Sequence, residues 1–103
     1  MAKWTTQGTF EVLDVRENND KFIIICKAVC DNSRVRFVVD MSEVNFKLEN
    51  CERNINDYDS DFMQLSNLVA CVPYLVKGDN IFCKYSRKWR DSICSEELVS
   101  LNF

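Results

Sequence analysis

Arg87, Lys88, Trp89 and Arg90 follow one another in the stretch YSRKWRDSIC, residues 85–94. Three cations around one indole form a set that can neutralise phosphates and stack on a planar ring. A second group of cations, Lys27, Arg34 and Arg36, lies on strand-like segments earlier in the chain, with Arg16 and Lys21 at their edge. The bland alternative is also concrete. RKWRD at a hairpin tip can be an ordinary surface turn with its tryptophan packed back on the fold. Alternating arginines are the normal solvent face of a half-buried antiparallel sheet.

Other chemistry is poorly represented. The chain has no histidine, which removes serine–histidine and cysteine–histidine catalysis. Cys26, Cys30, Cys51, Cys71, Cys83 and Cys94 contain no CxxC pair, so the common zinc patterns are mostly lost and no metal is expected. Cys26, Cys71 and Cys83 sit inside apolar runs and read as buried free thiols. Cys26 and Cys30 read as a pair on one face of a strand, packed in the core. No glycine-rich phosphate cradle is present, and no carboxylate pair stands in an apolar context. The expectation is a non-enzyme without cofactors.

At 103 residues the chain is long enough for one domain with one core. Nearly half of it is hydrophobic, which argues against wholesale disorder. The formal charge of −3 excludes a uniformly basic nucleic-acid coat but not a local basic face. No apolar run approaches the roughly 18 residues of a membrane span, and MAKWTTQGTF lacks the apolar core of a secretory signal. A soluble, intracellular protein is expected.

The elements that must position these residues are mostly strands. TFEVLDVR (9–16), KFIIICKAVC (21–30) and RVRFVVDM (34–41) are rich in β-branched and aromatic residues and are separated by ENND and DNS. Val35, Phe37 and Val39 share one face of the third strand, and Arg34, Arg36 and Asp40 the other. Residues 41–62 carry Glu43, Glu49, Glu52, Asp57, Asp59 and Asp61 against Lys47 and Arg53, leaving the remainder slightly positive. This acidic middle reads as a solvated linker that leads into a helix. Its alternative role is a surface that keeps nucleic acid away or docks a basic partner. The helix starts near Asp59 or Ser60, with Phe62, Leu65, Val69 and Met63 as its apolar stripe. Pro73 ends it, Gly78 supplies a positive-φ turn over 77–80, and two more strands follow, with Ile81, Cys83 and Tyr85 alternating against Phe82, Lys84 and Ser86.

Three strands, a helix and two strands in about 100 residues predict a mainly β, five-stranded OB-fold-like Greek-key barrel over residues 1–103. LVKGDNIFCKYSRKWRDSIC and CDNSRVRFVVDM resemble the corresponding segments of small OB-fold proteins of the replication protein A and telomere-capping Stn/Ten type. The element order matches over most of the chain, the residue detail only over 75–90. An SH3-like or Tudor barrel is the competing architecture.

The resemblance implies single-stranded nucleic acid bound across strands two and three, between the first hairpin loop and the loop joining strands four and five. Arg87, Lys88, Trp89 and Arg90 would form that last loop, and Arg34, Arg36 and Lys27 the sheet-face cations. It also implies a nuclear subunit of a genome- or telomere-maintenance complex that contacts DNA, RNA or a protein. In the assembly alternative, Leu98, Val99, Leu101 and Phe103 would dock a protein partner. A Tudor-type peptide reader would need Trp89, Tyr85, Phe82 and Tyr74 to converge on one cage, yet alternation sends Tyr85 and Phe82 to opposite faces. Trp4 reads as packed on the barrel.

Overall fold

The computed structural model describes residues 5–90 and 93–102, with side chains described for 5–86 and 96–102. Five strands form a closed barrel: β1 (Thr5–Asn18), β2 (Lys21–Ala28), β3 (Arg34–Asp40), β4 (Asn80–Arg90) and β5 (Ile93–Asn102), in the order β1-β2-β3-β5-β4. β1 is the strand that makes closure possible. Its first half pairs with β4 and its second half with β2, and Phe10 and Glu11 have ladder partners on both sides. The register with β2 slips between Val12 and Asp14, so Leu13 is passed over. Such a bulge bends the strand and increases its twist, letting one strand serve two neighbours around a curve.

The first hairpin is tighter than the sequence suggests. Asn19 and Asp20 both adopt positive φ (48° and 64°), and Asn18 pairs directly with Lys21. This is the two-residue turn whose twist matches antiparallel strands, and Asn and Asp tolerate it best after glycine. The second hairpin closes early, because the Ala28 amide donates to the Ser33 carbonyl and Asn32 takes φ 60°. β2 therefore ends at Ala28, leaving Val29 and Cys30 exposed in the turn. The expected Cys26–Cys30 core pair does not form: Cys26 is buried and Cys30 is exposed.

Between β3 and β4 the expected helix is present as α2 (Asp61–Cys71), with the Ser60 hydroxyl accepting from the Met63 amide. A second helix, α1 (Met41–Asn50), precedes it where a linker was expected. The Asp40 carboxylate accepts from the amides of Ser42 and Glu43 (3.1 and 3.3 Å) and caps α1 directly off the end of β3. Met41 and Val44 point to the core, and Lys47 pairs with Glu43 one turn back at 3.0 Å. Pro73 lies in a short 3-10 turn (Val72–Tyr74) immediately after α2. Gly78 has φ 98°, and its amide donates to the Val12 carbonyl while the Val12 amide donates to Asp79.

The core is aromatic at its centre. Phe10, Phe37 and Tyr85 meet edge to face with centroids 5.2–5.7 Å apart. Ile24, Ile81, Cys83 and Leu101 surround them, and Leu68, Val72 and Leu75 join the same cluster from the helical segment. The order and closure are those of an OB-fold-like barrel. Among the described residues no helix is long and apolar enough to cross a membrane.

Candidate nucleic-acid interface

Alternation on β2 and β3 places one row of side chains inside and one row outside. Phe22, Ile24, Cys26, Phe37 and Val39 are buried, while Ile23, Ile25, Lys27, Arg34, Arg36 and Val38 face outward. The ladders arrange the outward residues in rows: Glu11, Lys27 and Arg34; Asp14, Ile25 and Arg36; Arg16, Ile23 and Val38. The three sheet-face cations expected from the sequence therefore share one surface, with an aliphatic patch beside them. Among the described residues, Lys27, Arg34 and Arg36 make no ion pair. Arg16 is held by Asp14 at 3.1 Å, a pair whose side chains are 70% and 49% exposed and which contributes at most about 1 kcal/mol.

The face offers no ring for base stacking. Its central outward positions are Ile23, Ile25 and Val38, and the aromatic residues of β2 and β3, Phe22 and Phe37, are turned into the core. Stacking would fall to Trp89, whose side chain lies outside the described residues, as do those of Arg87, Lys88, Arg90 and Cys94. Their backbone placement corrects the expectation of a basic loop. Residues 87–90 continue β4 and pair with β5 as Arg87↔Glu96, Lys88↔Ser95, Trp89↔Cys94 and Arg90↔Ile93. Only Asp91 and Ser92, outside the described residues, remain between the strands. In the described residues β1 pairs with β4 from Thr5↔Ser86 to Glu11↔Asn80, and 87–90 with 93–96 make the turn end of the β4–β5 ribbon. The ribbon reaches the sheet face through the parallel bridge Phe37↔Glu96.

The expected docking row on the last strand is divided. Leu98 and Leu101 are buried in the barrel's own core, and Val99 is half-buried. A register slip opposite Lys84 and Tyr85 breaks simple alternation, so two leucines three positions apart both point inward. Phe103 and Trp4 lie outside the described residues. Of the cage candidates, Phe82 faces out and Tyr85 faces in, as alternation predicts.

A second concave feature was not legible in the sequence. β3 and β5 share one ladder pair, Phe37↔Glu96, and beyond it a cleft of about 1070 Å³ opens between them under α1 and α2. Val38, Val44, Leu65 and Leu98 line it together with Asp40, Glu43, Asp61, Glu96 and Glu97. Lys47 crosses from α1 to β5 and lies 3.7 Å from Glu97. Phe46, at its edge, is 67% exposed.

The thiols offer little reactivity in the core. Burial pushes Cys26 and Cys83 up to about 12 and raises Cys71. No protein-family model matches the chain, and no curated protein is similar enough to be matched to it.

Proposed function

We propose that this barrel is a non-catalytic module that binds single-stranded nucleic acid along the outer face of β2 and β3. The observation that carries the reading is the three outward cations Lys27, Arg34 and Arg36, free of ion pairs among the described residues, on one face with Ile23, Ile25 and Val38. Cations that spend no energy breaking internal pairs are available to displace counterions from phosphates. The aliphatic patch supports contact with sugar and base edges rather than ordered stacking. The reading takes in Arg87 to Arg90, whose strand pairs with β5, which in turn meets β3 at Phe37↔Glu96. The resemblance of residues 75–90 to replication protein A and Stn/Ten subunits favours a nuclear genome- or telomere-maintenance setting.

Fluorescence anisotropy of a labelled single-stranded oligonucleotide at several salt concentrations tests this directly. The wild type should bind with a salt-dependent affinity. Arg34→Ala with Arg36→Ala should reduce the log–log salt slope by about 0.7 for each phosphate no longer neutralised. A folded wild type that binds no single strand at low salt overturns the reading.

A second reading, an assembly subunit, is favoured by apolar side chains exposed in and around the helical segment, including Phe46, Ile55, Tyr58 and Tyr74. It would use a surface other than the last strand, whose leucines are already in the core.

A further inference from the structure

The cleft between α1, α2, β3 and β5 combines three properties that seldom coincide on a surface without a role. It is an open cleft of about 1070 Å³, broad for a chain of this size. Its walls carry Val38, Val44, Leu65 and Leu68, and Phe46 leaves its ring largely exposed at the lip. Its charged lining is mostly acidic, with Lys21 and Lys47 set against Asp40, Glu43, Asp61, Glu96 and Glu97. A phosphate chain is therefore the wrong occupant, because like charges facing each other across a concave wall repel.

The chain itself shows what the lip accepts. The Lys47 ammonium lies 3.0 Å from Glu43 on its own helix and 3.7 Å from Glu97 on β5, a cation held between carboxylates across the cleft. Lys47 and Glu43 are both about half exposed, so their pair is weak and exchangeable. An incoming lysine or arginine could take Glu43 without leaving a buried charge unpaired.

We propose that this cleft seats a basic segment of a partner protein, with an apolar side chain set beside Phe46 and Leu65 and a cation at Glu43 and Asp61. The inference rests on the assembly reading and gives it a place and a chemistry. Apolar contact at Phe46 supplies affinity, and the acids select the sign of the partner and speed encounter. The basic outer face of β2 and β3 is left to nucleic acid, so one barrel carries two surfaces of opposite charge that meet near Val38.

The test uses the full chain and two labelled peptides, one of leucine and lysine patterned as an amphipathic segment, the other with glutamate for lysine. Polarisation titrations should show binding of the lysine peptide and none of the glutamate peptide. Phe46→Ala should weaken binding about tenfold, equivalent to about 1.4 kcal/mol, and Glu43→Gln with Asp61→Asn should weaken it further. Phe46 is exposed on a helix, where alanine is well tolerated, and a thermal melt verifies folding. Arg34→Ala with Arg36→Ala should leave peptide binding unchanged. Amide shifts in NMR spectra should map to Val44, Leu65 and Val99. Equal binding of both peptides, or no effect of Phe46→Ala, overturns the proposal. Shifts centred on Tyr58 or Tyr74 instead would overturn the cleft and keep the assembly reading, whereas no binding anywhere would remove both. A concentration-dependent oligomer abolished by Phe46→Ala would make a second copy the occupant and overturn the partner assignment.

Discussion

At the scale of single residues, the cysteines show how burial sets chemistry. Cys26 and Cys83 sit in the core, where a thiolate would lose its hydration, and both titrate only near about 12. Cys30 stands exposed in the second hairpin turn. Brief treatment of the folded protein with a maleimide, read by mass spectrometry, should modify Cys30 while Cys26 and Cys83 react only after denaturation. The same burial has a pH consequence. Between the usual thiol value of 9.0 and about 12 the folded state holds protons that the unfolded chain has released. Stability from these groups is thus complete below pH 9 and is lost as the pH rises toward 12. Urea midpoints measured across that window should fall, and Cys26→Ala with Cys83→Ala should flatten the decline. Phe37 is the other decisive residue, fully buried and in ring contact with both Phe10 and Tyr85. Phe37→Ala should cost about 3–5 kcal/mol by chemical denaturation.

At the scale of elements, caps and turns decide where segments begin. Ser60 and Asp40 each accept from free amides at a helix start. Ser60→Ala and Asp40→Ala should each cost about 1 kcal/mol, read from unfolding curves with nucleic-acid binding unchanged. Helix α2 was legible because a serine cap precedes Phe62, Leu65 and Val69 at helical spacing. Helix α1 carried a similar signal, a capping Asp40 ahead of Met41, Val44 and Leu48 with Glu43 in the first turn, but its charged residues and its outward Phe46 imitated a linker. The turn at Gly78 was legible for a stricter reason, since φ 98° is strained for any residue with a Cβ. Gly78→Ala should destabilise by more than about 1 kcal/mol even though open space surrounds the site.

At the scale of the whole molecule, β1 ties the barrel together. Phe10 and Glu11 are paired on both edges, so their strand cannot open without breaking two ladders. Hydrogen exchange should be slowest around residues 8–12 and fast across 52–59, where helices and strands are absent. Charge is also organised at this scale. The net of −3 conceals three outward cations on β2 and β3 and an acidic cleft beside them. Rising salt should therefore weaken nucleic-acid binding steeply and peptide binding more mildly, because contacts to partly buried apolar groups are not screened.

The sequence by itself determined where the strands lie, the inward and outward faces of β3, the α2 cap and the Gly78 turn. Each depends on a period of two, a cap or a φ angle acting within a few residues. That Lys27, Arg34 and Arg36 share a face followed from the same short-range rule. The tertiary structure alone decided three matters: that Arg87 to Arg90 extend a strand rather than form a loop, that Leu98 and Leu101 turn inward, and that a cleft opens past Phe37↔Glu96. The cleft arises where distant strands meet, and the other two are set by the pairing and register slip of the β4–β5 hairpin. In each case pairing between strands sets the outcome, and no local pattern encodes it.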